Sequence, residues 1–323
     1  MDALWLAVVS VGFYIAWNIG ANDSANAMGT AVGAGVITFR QATLTIAIFV
    51  LMGAYLEGYR VMKTVGKGIV PEGYLTLELA AIALLSAGIW VTIATIKGLP
   101  VSTTQAIVGG VVGVGISIGA PVRWYTLTKI VLAWVLSPVI AALVSIILYK
   151  FYGFIINRIK SVKNIELLYK WSAVLGGSYM AFNFGANEVA NATGPLVGAG
   201  FMAPKVAGIF GALSLSLGAL TFSYAVMYTV GKKITSLGPI SAFAAQFGSA
   251  MAVSAANILG LPVSSSQAIV GGVIGVGLIT GHGVEKSTIK DIVFGWVATP
   301  LTAVVISLAV FNLFKIAGLL PGL

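Results

Sequence analysis

The 323-residue sequence contains no cysteine, only one histidine and few charges. The missing thiols exclude disulfides, thiolate metal sites and cysteine nucleophiles. The one histidine, His282, stands in a glycine-flanked stretch and reads as a solvated loop residue. Charged residues make up 8% of the chain, against about 25% in a soluble domain. Hydrophobic residues make up 59%, too many for a soluble core and in keeping with a chain dissolved in lipid. The forty glycines fit the same setting, because small residues let membrane helices approach closely. A net charge of +9 could point to nucleic acid. The basic residues instead fall in short pieces between apolar runs, as positive-inside loop charges do. No cleavable signal peptide is evident. The first apolar run lacks a preceding basic residue and continues into an Asn-rich motif, so it reads as the first membrane helix.

The sequence repeats itself. Asn18 to Ala27 (NIGANDSANA) returns as Asn183 to Ala192 (NFGANEVANA), 165 residues on. Thr64-Val65-Gly66-Lys67 returns as Thr229-Val230-Gly231-Lys232 at the same offset. Gly98 to Gly110 (GLPVSTTQAIVGG) returns from Gly260 to Gly272 at an offset of 162, and Trp134 and Pro138 return as Trp296 and Pro300. Four landmarks kept in order make two copies of one plan. In the first copy apolar runs cover roughly 3–21, 42–56, 77–96, 105–119 and 125–149. A membrane span needs about 20 residues, so the run at 105–119 is short. It follows Pro100 and a hydroxyl cluster, which predicts a broken helix or re-entrant hairpin buried in protein or lining water.

The copies, 1–149 and 171–323, meet in a linker at 150–170. That linker carries Lys150, Arg158, Lys160, Lys163 and Lys170 against one acid, Glu166, which places it in the cytoplasm by the positive-inside rule. The termini are poor in basic residues and are expected outside. A half that starts outside and ends inside crosses an odd number of times, so the second half runs inverted. The expected fold is an all-α membrane protein of two inverted repeats whose broken helices meet near the midplane.

Seven of the nine acids lie at termini, helix ends or loops. Asp23 and Glu188 lie amid small apolar residues at the same place in each repeat. A charge at mid-membrane costs about 2.5–3.5 kcal/mol even on the lenient insertion scale, so both need a partner. Asn22 and Asn26 flank Asp23, and Asn187 and Asn191 flank Glu188, each pair four apart on one helix face. Carboxylate and amide oxygens suit a hard cation such as sodium. Gly20 and Gly185 could let the backbone open and add carbonyls. Two other readings stand beside this one. The groups could simply bond to each other and pin the helices, or the carboxylates could carry protons.

Ser102-Thr103-Thr104-Gln105 and Ser264-Ser265-Ser266-Gln267 each follow a Gly-Leu-Pro-Val break and open a Gly-rich helix. Hydroxyls beside the free N–H groups of a first turn form an anion site. Two such ends facing each other would surround a tetrahedral oxyanion with donors, with no need of a lysine. Ordinary helix capping is the plainer alternative. Ser102, Thr103, Thr104, Ser264, Ser265 and Ser266 are therefore the candidate anion ligands. Gln105 and Gln267 are grouped with the cation ligands. Four glycine pairs, 29/33, 109/113, 194/198 and 271/275, match the small-residue packing motif. Lys67 and Lys232 read as interfacial anchors, or as groups that gather anions at the mouth.

The duplicated strings GANDSAN (Gly20 to Asn26) and GANEVAN (Gly185 to Asn191) resemble the double signature of the inorganic phosphate transporter family, which includes the type III sodium–phosphate symporters. The paired Pro-Val-Ser segments ending in Gln105 and Gln267 match its pattern, and the resemblance runs the length of the chain. It implies a helical secondary transporter of phosphate coupled to sodium or protons, working as a homodimer in the plasma membrane without a cofactor. Relatives can carry sulfate, so the motif alone leaves the anion open. Glu188 in place of Asp23, and Val189 in place of Ser24, imply unequal cation sites. A membrane enzyme acting on a phosphate ester is the alternative of another class. It would need a nucleophile or a metal with a base, and the only histidine, His282, lies in a loop. An anion channel would not need coupled cation sites.

Overall fold

A computed structural model of the protein describes residues 3–33, 35–96, 101–225, 227–228, 238–281 and 286–320. The second Thr-Val-Gly-Lys string (229–232), the Gly98-Leu99-Pro100 break and His282 lie outside the described residues.

Among the described residues the chain is helical and has no strand. The first half contains α1 (Ala3–Gly33), α2 (Phe39–Leu56), α3 (Gly58–Lys63), a π-helical turn (Thr64–Gly68), α4 (Leu77–Ile96), α5 (Thr103–Ser117) and α6 (Trp124–Ile156). The second contains α7 (Val162–Phe184), a π-helical turn (Gly185–Val189), α8 (Ala190–Gly198), α9 (Pro204–Phe222), α10 (Pro239–Ile258), α11 (Ser265–Thr280) and α12 (Lys286–Ile316). Six of these helices are long and apolar enough to cross a membrane. The exposed faces of α6 and α12 carry Val131, Val135, Leu143, Val297, Leu301 and Val305, as a lipid-facing surface requires. The expected linker at 150–170 spans the end of α6, a short turn and the start of α7, and so is largely helical.

The short run expected near 105–119 is α5, with 15 residues, and its counterpart α11 has 16. At 1.5 Å per residue each is about 22–24 Å long, less than the hydrocarbon thickness of about 30 Å. Each starts among protein, with residues 103–115 of α5 all buried and Ser265, Gln267, Ala268 and Ile269 of α11 buried. Their first turns therefore lie inside the molecule, and their unpaired N–H groups point at other protein groups rather than at lipid.

The halves pack reciprocally. α1 lies against α9, and α7 against α2; α5 lies against α12, and α11 against α6. Glycine makes these contacts possible. A Cβ on Gly20 would run into the Leu215 carbonyl, and one on Gly185 into the Val50 carbonyl. Residues 215 and 50 are themselves 165 apart, so the same contact is made twice with the halves exchanged. Gly109 meets the Pro300 carbonyl, and Gly271 meets the Pro138 carbonyl, in the same manner. Gly194 and Gly198 abut Val65 and Gly66.

The glycines expected to open the backbone behave differently. α1 runs unbroken through Gly20. Only the second copy departs from α-helix, at the turn Gly185–Val189. Both glycines admit a carbonyl of a neighbouring helix, so packing is common to the two copies and the π-helical turn is confined to the second.

Candidate transport site

The two acids meet at the start of α5. Thr103, its first residue, places its hydroxyl 3.3 Å from Asp23 Oδ2 and 3.5 Å from Glu188 Oε2. A hydroxyl has one proton, so Thr103 donates to one carboxylate at a time. The site thus joins both halves through a residue of the first.

The second copy is densely tied. Glu188 is 1% exposed. Its Oε1 accepts from Ser265 Oγ at 2.8 Å and from the Ser265 backbone N–H at 3.4 Å, on the first turn of α11. Its Oε2 accepts from Thr104 Oγ1 at 3.2 Å. Asn191 Nδ2 donates to Thr104 Oγ1 at 2.9 Å and to Asn187 Oδ1 at 3.0 Å. Asn187 Oδ1 also accepts from the Val263 N–H, and Asn187 Nδ2 donates to Asn257 Oδ1 at 2.5 Å. Asn257 Nδ2 donates in turn to Asn183 Oδ1 at 3.0 Å.

The first copy is looser. Asn22 donates to Asn18 on its own helix, at 2.8 Å to Oδ1. Asn26 Nδ2 donates to Ser266 Oγ at 3.0 Å, on α11 of the other half. Thr103 is the hydrogen-bond donor found at Asp23 among the described residues.

Ser102 and Ser264 are the N-caps of α5 and α11. Their Oγ atoms accept from the N–H groups of Gln105 and Gln267, each at 3.3 Å. The remaining hydroxyls, Thr103, Thr104, Ser265 and Ser266, face the Asn and acid groups. Anion and cation ligands predicted from the sequence thus meet around Asp23 and Glu188, but three predicted ligands do not join them. Asn22 bonds to Asn18, and the Gln105 and Gln267 side chains line a separate apolar cavity with Trp134, Pro138, Trp296 and Pro300. Three side-chain oxygens of that set, Gln105 Oε1, Gln267 Oε1 and Asn191 Oδ1, are buried without a hydrogen-bond partner. A buried oxygen without a hydrogen-bond partner is costly.

Among the described residues no three of His, Cys, Asp and Glu come together, and the one ion pair, Lys67 with Glu72, is elsewhere. That pairing gives Lys67 a surface partner. Two carboxylates with hydroxyl and amide oxygens, and no nitrogen or sulfur ligand, make a site for hard ions.

Reading the sequence by its repeats missed Asn257 and Gln246. Each is polar within the apolar helix α10, and neither has a like counterpart: positions 95 and 84, 162 residues earlier, hold Thr95 and Leu84. The signal available was a lone amide in an apolar run.

Inward-facing acids, short helices starting inside the molecule and reciprocal packing of two halves define a helical membrane transport protein. Comparison with known proteins carries this further. The phosphate transporter family matches residues 19–307. A Thermococcus kodakarensis protein named as a phosphate permease is 35% identical, with 98% of this chain and 99% of that protein covered. The chloroplastic inorganic phosphate transporter 2-1 of Arabidopsis thaliana is 32% identical, with 91% and 69% covered. A solved structure titled as the sodium-dependent phosphate transporter superposes with a TM-score of 0.88 at 32% identity, with 98% of this chain and all of that one covered. The chain belongs to the phosphate transporter family, whose members are transporters and not enzymes.

Proposed function

We propose that the protein carries inorganic phosphate across a plasma membrane together with sodium ions, by alternating access. The observation that carries this reading is the cluster itself. Hydroxyls from α5 and α11 and the Ser265 N–H of α11 converge on two carboxylates, and the Asn191 amide oxygen beside them has no partner. Thr103, Thr104, Ser265 and Ser266 supply donors to the phosphate, with Ser102 and Ser264 holding the two helix starts. Asp23 and Glu188 hold sodium with oxygens from Asn26, Asn187 and Asn191. A carboxylate repels a phosphate at short range in a poorly screened interior. Sodium between them turns that repulsion into attraction, which makes the two cargoes depend on each other. The names of the solved transporter and of the relatives support phosphate and sodium as cargo.

The same reading takes the halves as inverted repeats, with 150–170 cytoplasmic, the termini external and two copies paired as a homodimer. Tags at 150–170 and at each terminus test the topology: a terminus on the same side as the linker overturns it. The transport reading is tested by uptake into proteoliposomes of phosphate and sulfate, in sodium and in choline, at two pH values. Phosphate uptake that requires sodium at both pH values is expected. Uptake driven by a pH gradient in choline would make the acids proton carriers.

A further inference from the structure

A cavity of about 490 Å3 opens where the linker-side ends of α1, α7 and α10 come together. Its wall includes Thr30, Glu166, Tyr169, Lys170, Phe243 and Gln246. Its rim thus carries one ammonium and one carboxylate, four residues apart on α7. They form no ion pair with each other, so both charges are open to solutes.

The cavity ends at Gln246, which is 2% exposed. Gln246 Oε1 accepts from Thr30 Oγ1 at 3.0 Å, and its Nε2 donates to the backbone carbonyls of Asn26, at 3.4 Å, and Ala27. These bonds clamp α10 onto α1 one turn beyond Asp23. The next group inward is Asn26 itself, bonded to Ser266 at the start of α11. Gln246 thus belongs both to the cavity wall and to the bonds that hold the α1 turn carrying Asn26. The latch has no twin in the other half, where Leu84 stands at the matching place. An amide held by three exchangeable hydrogen bonds is easier to part than packed leucine, because water can replace each bond.

We propose that this cavity is the linker-side vestibule of the transport path, that Lys170 gathers the incoming or departing oxyanion there, and that Gln246 is the gate between vestibule and cluster. The inference rests on the transport reading for its cargo, and on geometry alone for the gate.

The native chain is free of cysteine, so single thiols report cleanly. Asn164→Cys, on the exposed start of α7, marks the linker side of sealed vesicles. Ala173→Cys, in the vestibule wall, should react with a membrane-impermeant anionic methanethiosulfonate from that same side. Phosphate with sodium should slow the reaction. Lys170→Ala removes the one ammonium and leaves the Glu166 carboxylate, so it should slow the anionic reagent several-fold and leave a cationic reagent no slower. Gln246→Ala should speed labelling of Asn26→Cys from the linker side several-fold. Thr30→Val, which removes one of the three bonds, should do so to a smaller degree and serves if Gln246→Ala does not fold.

Labelling of Ala173→Cys from the opposite side only, equal slowing of both reagents by Lys170→Ala, or unchanged access to Asn26→Cys in both latch variants would each overturn the proposal. Labelling as expected, with no phosphate uptake by the parent protein, would sink the cargo and leave the gate standing. Normal uptake with failed labelling would sink the gate alone.

Discussion

The two copies of the Asn-acid-Asn motif share a sequence but not a setting. Around Glu188, donors from α5 and α11 and the Asn257 tether leave little freedom, and the backbone itself widens into a π-helical turn. Around Asp23 the helix is regular, Asn22 folds back on Asn18, and one hydroxyl reaches the carboxylate. Burial differs in the same direction, with Asp23 partly exposed and Glu188 enclosed. The lesson is that the two copies share their polar residue types, and single-copy residues such as Asn257 tie the second copy more tightly than the first. A rigid site binds without reorganising, whereas an adaptable one can respond to the second cargo.

The comparison can be broken at several points. The largest effect is expected from Glu188→Gln. It removes the charge and turns an amide N–H toward existing donors. Hydrogen bonds to a charged group are worth about 1.5–3 kcal/mol each, so sodium-dependent uptake should fall by about a hundredfold. Uptake within threefold of the parent, a threshold of about 0.65 kcal/mol, would show that the dense network is only structural.

Next come Gly20→Ala and Gly185→Ala. Both glycines admit a neighbouring carbonyl where a methyl has no room, and overpacking of this kind costs about 1–3 kcal/mol. Thermal unfolding in detergent should show similar losses for the two, because the packing is shared even though the chemistry is not. A large loss at one and none at the other would refute the reciprocal packing.

Asp23→Asn should act more gently than Glu188→Gln. It should shift the sodium dependence of uptake by about tenfold, equivalent to about 1.4 kcal/mol, while leaving a measurable maximal rate. The smallest effect is expected from Asn257→Ala. It frees Asn183 and Asn187 without touching a carboxylate, and should raise the sodium concentration needed by a few-fold. No change in that concentration would mean that the tether does not shape the site.

Much of this was legible in the sequence. The duplicated strings exposed the two halves, and the isolated acids and hydroxyl clusters picked out residues that the fold does bring together. Two things were hidden. The role of Gly20 depends on Leu215 of the other half, a contact that no local pattern encodes. Asn257 and Gln246 have no repeat partner, so comparing the copies passed over them. The meeting of anion and cation ligands around Asp23 and Glu188 was also hidden, because Thr103 meets these acids only after the chain has returned from 80 and 85 residues away.

The central claim is that Asp23 and Glu188 hold sodium beside the phosphate. Sodium titration of uptake and of binding, at fixed pH and with and without phosphate, tests it most directly in the parent, Asp23→Asn and Glu188→Gln. Coupling between two ligands is reciprocal. Phosphate should therefore raise sodium affinity in the parent and do so less in each variant, with the larger loss at Glu188. If both variants keep the parental sodium dependence and only their pH profiles move, the carboxylates carry protons and the account is contradicted.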